Sequence, residues 1–117
     1  LVCLGGYISE IQEIIRDYDF LGVCFDTNHL LKDTNEAFIR AVGSSITTLH
    51  VSDYDRIRDR HWMPGKGTID WNEMIEGLYN AGYDGPFMFE IPHTHEGNIT
   101  PGDIRRCWDG LLEDYSG

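Results

Sequence analysis

Hydrophobic positions follow two rhythms along this chain. Four stretches repeat them at helical spacing, and three short runs between these are almost wholly apolar. Ile11, Ile14, Ile15 and Tyr18 fall at i, i+3, i+4 and i+7 behind Ser9-Glu10-Ile11-Gln12, a capping-box pattern, which predicts a first helix. Ala37, Phe38, Ala41 and Val42 predict a second, capped by the stretch 33–36 and stopped at Gly43. Met74, Ile75, Leu78 and Tyr79 predict a third, between Asp70 and Gly82. Ile104, Cys107, Trp108, Leu111, Leu112 and Tyr115 form the cleanest stripe, behind the N-cap and first-turn pair Thr100-Pro101. The apolar runs 21–25, 46–51 and 86–89 are rich in β-branched, aliphatic and aromatic residues and lie beside turn residues, which predicts strands.

The resulting order is one helix followed by strand–helix three times. Such alternation implies parallel strands joined by helical crossovers. Three parallel strands cannot close a barrel and leave two bare edges. The chain therefore reads as α/β, a partial (β/α)8 TIM barrel of roughly the last three β/α units, in one domain over residues 1–117. With no initiating Met and no strand ahead of the first helix, an N-terminal part of the barrel is expected upstream. The inward faces of Val23, Phe25, Leu49, Met88 or their neighbours are expected to meet water. That exposure predicts association, as a homodimer or with the missing N-terminal part of the barrel.

Each apolar run ends on a polar side chain: Asp26 after 21–25, His50 within 46–51, and Glu90 after 86–89. Parallel strands would bring those ends to one edge of the sheet, where α/β proteins build their sites. Asp, His and Glu together suit a divalent ion such as Mn²⁺, Mg²⁺, Co²⁺ or Zn²⁺. Past His50 the chain enters a charged loop holding Asp59-Arg60-His61 and closing on Pro64-Gly65-Lys66-Gly67.

Composition narrows the class. At 41% hydrophobic and 25% charged, the 117 residues suit an ordinary soluble globular protein. A net charge of −11 disfavours a surface devoted to nucleic acid. No apolar run approaches the ~20 residues of a membrane span, and no signal-peptide pattern opens the chain. Cys3, Cys24 and Cys107 are odd in number and show no CxxC spacing, which reads as buried free thiols in a reducing cytoplasm.

The motifs then match a family. Phe25-Asp26-Thr27-Asn28-His29 resembles the Asp-Thr-x-His strand end of the xylose-isomerase-like sugar isomerase and epimerase barrels. His50-Val51-Ser52-Asp53, Asp59-Arg60-His61 and Pro64-Gly65-Lys66-Gly67 resemble their His-x-x-Asp, Asp-x-His and Pro-Gly-x-Gly succession. Gly82-Tyr83-Asp84-Gly85 ahead of Glu90 is similar to the Gly-Tyr-x-Gly and Glu around their last strand. The resemblance runs from about residue 8 to the C-terminus.

It implies a metal-dependent sugar or sugar phosphate isomerase or epimerase, in which a proton moves through an enediolate. Asp26, His50 and Glu90 carry over as metal ligands, with a first ligand Glu upstream, and Glu90 doubles as a catalytic acid/base. His29, Arg56, Asp59 and His61 carry over as substrate-binding residues. Trp62 either walls the substrate pocket or packs beneath its loop, and His93 and His95 follow the last strand end. Lys66 departs from the Glu usual at that position. Tyr83, Trp71 and Trp108 are expected in the core. The competing readings are a multi-zinc phosphodiesterase of the apurinic endonuclease type and a non-catalytic, self-associating barrel fragment.

Overall fold

Which residues reach the site follows from how the strands alternate. A computed structural model describes residues 6–30, 32–92 and 97–116. It contains α1 (Ile8–Arg16), β1 (Val23–Asp26), α2 (Asn35–Val42), a 3₁₀ turn (Gly43–Ser45), β2 (Ile46–His50), α3 (Trp71–Asn80) and α4 (Pro101–Ser116). β1 and β2 pair in parallel, with Cys24 opposite Thr48, Phe25 opposite Leu49 and Asp26 opposite His50. This is a partial barrel.

The run 86–89 does not become a third strand. It makes one parallel bridge, Val51 to Phe89, with Val51 N–H donating to Met88 O at 2.7 Å and Glu90 N–H donating to Val51 O at 2.9 Å. Pro86 has no N–H to give, and no further strand lies beside this run among the described residues, so the ladder stops.

Side chains alternate across the pleat. Val23, Phe25, Leu49 and Val51 are buried. They form one core with Phe38, Ile39 and Val42 of α2, Met74 and Leu78 of α3 and Leu111 of α4. Phe25 and Phe38 stack at 4.7 Å. The expectation that Val23, Phe25 and Leu49 would meet water is therefore wrong. The crossover helices cover that face, and the opposite face, with Cys24 and Met88 (46% exposed), stays open.

The helix stripes are narrower than their sequence patterns, because one small sheet meets only a strip of each helix. Ile11 and Ile15 pack on the core with Ile8, whereas Ile14, Tyr18, Tyr79, Leu112 and Tyr115 are exposed. On α2, Ile39 takes the buried place expected for Ala41. Trp71 is buried, and Tyr83 packs against the core. Trp108 is half-buried against Phe87, their ring centroids 4.6 Å apart.

One cap differs, and a second falls on Thr34 within the expected stretch 33–36. α1 starts at Ile8, not behind Ser9, and its first N–H donates to Asp33 Oδ2 at 3.0 Å across 25 residues. With Asp33 so engaged, Thr34 caps α2 by accepting from Ala37 N–H at 3.0 Å. Asp70 caps α3 as expected. Gly43 stands at φ −54°, outside the left-handed region; a Cβ there would lie 2.7 Å from that of Ala81, so it serves close α2–α3 packing. Cys24 is exposed, contrary to expectation, because it lies on the open face; Cys107 is half-buried, both are free, and Cys3 lies outside the described residues. No helix among the described residues is long and apolar enough to cross a membrane.

Candidate metal centre

The residues alternating with the core face, Asp26, His50 and Glu90, meet at the carboxyl edge of the sheet. One donor atom from each lies within 4.8 Å of the others. His50 Nδ1 is 3.3 Å from Glu90 Oε2 and 3.8 Å from Asp26 Oδ2. The register produces this: Asp26 and His50 are directly opposed in β1 and β2, and the Val51–Phe89 bridge places Glu90 beside them. Burial pushes the Asp26 carboxyl above its ordinary range, Asn28 N–H and the His29 charge oppose this, and Glu90 adds to the rise. Among the described residues no lysine or arginine pairs with these two carboxylates, so Asp26 and Glu90 would repel one another when both are ionised. A divalent ion would relieve that repulsion, and the donor set suits one.

A second tier surrounds the three. His29 lies between two carboxylates, with Nε2 3.3 Å from Asp26 Oδ2 and Nδ1 3.3 Å from Asp59 Oδ1. His61 sets its ring 5.6 Å from that of His29, centroid to centroid, and its Nδ1 lies 3.3 Å from both Ser52 Oγ and Glu90 O. His29, Asp59 and His61 are thus on the same edge as the three. Arg56 is not gathered in. It is exposed in the loop with φ 63°, and no ion pair or hydrogen bond ties it to the site among the described residues. Trp62 bridges Asp53 through its backbone and carries the Arg60 guanidinium 5.3 Å over its ring. His93 and His95 lie outside the described residues.

Buried polar residues hold this edge together, and sequence reasoning singled out none of them for that task. Thr27 Oγ1 donates to Ser52 O at 2.6 Å and accepts from Ser52 N–H at 3.0 Å, locking the ends of β1 and β2. Asp53, 0% exposed, accepts from the N–H groups of Tyr54, Gly65 and Ile69 and from the Trp71 indole, folding the loop over 53–71 around one carboxylate. Gly67 is required there, since a Cβ would fall 2.3 Å from Asp53 Oδ1. The available signal was a run of small polar residues directly after each strand, where turns alone would be satisfied by solvent.

Residues 2–107 match the family model described as xylose isomerase-like TIM barrel. The chain belongs to that family. It is 29% identical to a D-psicose 3-epimerase of Enterocloster bolteae over 95% of this chain and 37% of that protein. A D-psicose 3-epimerase of Ruminiclostridium cellulolyticum is 31% identical, over 76% of this chain and 29% of its own length. Among solved structures, a D-tagatose 3-epimerase-like protein superposes with a TM-score of 0.73 at 26% identity, over 97% of this chain and 43% of that one. The 3-keto-D-glucoside 4-epimerase of E. coli shares the fold, with a TM-score of 0.65 at 18% identity, over 98% of this chain and 41% of that one. The chain thus spans about a third of the length of these curated relatives.

Proposed function

We propose that this chain forms part of the active site of a metal-dependent sugar or sugar phosphate isomerase or epimerase, with Asp26, His50 and Glu90 holding a divalent ion. The convergence of those three donors carries the reading. A bound Mn²⁺, Mg²⁺, Co²⁺ or Zn²⁺ supplies Lewis-acid polarisation of a substrate carbonyl. Glu90, its side chain about half exposed on the open face, removes or returns the proton on the carbon next to that carbonyl. His29, steadied between Asp26 and Asp59, presents a hydrogen-bonding ring to a sugar hydroxyl, and His61 lines the same side. A group on the opposite face of the substrate, from another part of the barrel, completes the proton exchange. D-Psicose and D-tagatose, which the relatives' names carry, are the first substrates to try.

The test is sugar turnover by the complete barrel with Mn²⁺, followed in D₂O by NMR at the carbon next to the carbonyl. Metal-dependent exchange, lost in Glu90→Gln, is expected. Exchange that persists with a chelator, or that survives Glu90→Gln, would overturn the reading. The 117-residue chain alone is expected to bind the ion without turning sugar over.

The open sheet edge and the exposed Phe20 and Met88 further support association, as a homodimer or with the rest of the barrel. Light scattering on the isolated chain should report more than one copy per particle; a stable monomer at micromolar concentration would defeat this.

A further inference from the structure

His61 adopts a left-handed backbone conformation, φ 53°, that few non-glycine residues take. Asn28 contacts the backbone at this turn. The Asn28 carboxamide oxygen accepts from both Arg60 N–H (3.1 Å) and His61 N–H (3.2 Å), more than thirty residues along the chain. Asn28 is 0% exposed, so water does not compete for these bonds. Its own backbone N–H donates to Asp26 Oδ1 at 2.9 Å. One residue therefore grips a candidate metal ligand with its backbone and the left-handed turn of the 53–71 loop with its side chain. That turn sets His61 Nδ1 3.3 Å from Glu90 O and 4.0 Å from Glu90 Oε2.

We propose that Asn28 is a positioning residue, whose buried carboxamide oxygen fixes the left-handed turn at His61 and, through His61, the placement of Glu90 in the Asp26–His50–Glu90 centre. The proposal rests on the metal reading above only for its effect on the ion. Asparagine suits the task better than aspartate, since a further carboxylate would stand beside Asp26 and Glu90. Among the described residues the Asn28 oxygen has two donors and its Nδ2 none.

Asn35 provides a matched control. It is also buried, at 4% exposure, and its Nδ2 donates to Thr27 O at 3.2 Å, with no hydrogen bond to the 53–71 loop among the described residues. Asn28→Ala and Asn35→Ala should both lower the melting temperature of the chain. Only Asn28→Ala should speed hydrogen exchange at the Arg60 and His61 amides, by about 10-fold or more, and weaken Mn²⁺ binding about 10–100-fold by calorimetry. Asn28→Asp keeps an acceptor oxygen and should restore protection of both amides. Should Asn28→Ala fail to fold, Asn28→Ser, too short to reach both N–H groups, takes its place.

Unchanged protection in the Ala or Ser variant would overturn the proposal. So would an equal loss of protection in Asn35→Ala, or faster exchange with unaltered Mn²⁺ affinity. If the parent chain binds no Mn²⁺, the metal reading fails by itself, and amide exchange still decides whether Asn28 holds the turn.

Discussion

The helix-covered face of β1 and β2 and the residues just past the carboxyl ends of the same strands are held by different forces. On the helix side, Phe25, Leu49 and Val51 are buried among Phe38, Met74 and Leu78 and held by area and shape. At the carboxyl edge, Thr27, Asn28, Ser52 and Asp53 are also 0% exposed, but each is fixed by directional hydrogen bonds. The first environment tolerates apolar exchange of similar volume; the second does not, because each group removed leaves a buried partner unsatisfied. Stability is concentrated in the apolar face and the geometry of the site in the polar edge.

The largest effect should come from the apolar face. Phe25 is 1% exposed and stacks on Phe38. Truncation to Ala should cost about 3–5 kcal/mol, as for buried aromatics generally. Denaturant unfolding measures it, and Phe25→Leu should recover most of the loss. Divalent-ion affinity of the folded fraction should stay within a few fold of the parent; a large drop would show that the two regions are not separable.

Asp53 comes next. Replacing it by Ala strips the acceptor from four N–H donors, including the buried Trp71 indole, at a cost of about 2–4 kcal/mol. Phe25→Ala should lower stability evenly. Asp53→Ala should instead free the 53–71 loop first, seen as proteolysis or hydrogen exchange confined to that segment below the global transition. Global unfolding without a local phase would mean that the loop is part of the core's cooperative unit.

These two regions were not equally legible in the sequence. Periodicity located the helices and two strands, because burying an apolar stripe is a local pattern that the chain writes out in order. It also marked Asp26, His50 and Glu90, since a polar residue ending an apolar strand is conspicuous. It overestimated how much of each stripe is buried, as with Ile14 and Tyr79, because the width of the contact depends on how many neighbours a helix has. The strand expected over 86–89 shrank to a bridge for the same reason: a strand exists only as far as it has partners. Asp33 capping α1 from 25 residues away, and Asn28 accepting from the loop, are long-range polar contacts with no period to betray them.

The smallest change in stability should come from the site itself, and with the opposite sign. Asp26 sits with its carboxyl held above the ordinary 3.8, chiefly by burial, with Glu90 adding repulsion. A carboxyl whose folded-state value is raised retains its proton longer in the native chain. Its contribution to stability is therefore present below pH ~3.8 and is lost as the pH rises through the raised value. At neutral pH the ionised form is a burden that the metal-free chain carries. Asp26→Asn keeps an oxygen for the Asn28 N–H but no charge, so its metal-free melting temperature should equal or slightly exceed that of the parent at pH 7, with the advantage vanishing toward pH 3. Mn²⁺ should raise the melting temperature of the parent, increasingly so as the pH climbs and Asp26 ionises, and leave the variant unmoved. A variant that melts well below the parent at pH 7, or that is stabilised equally by Mn²⁺, would show that Asp26 belongs with the structural residues and not with the centre.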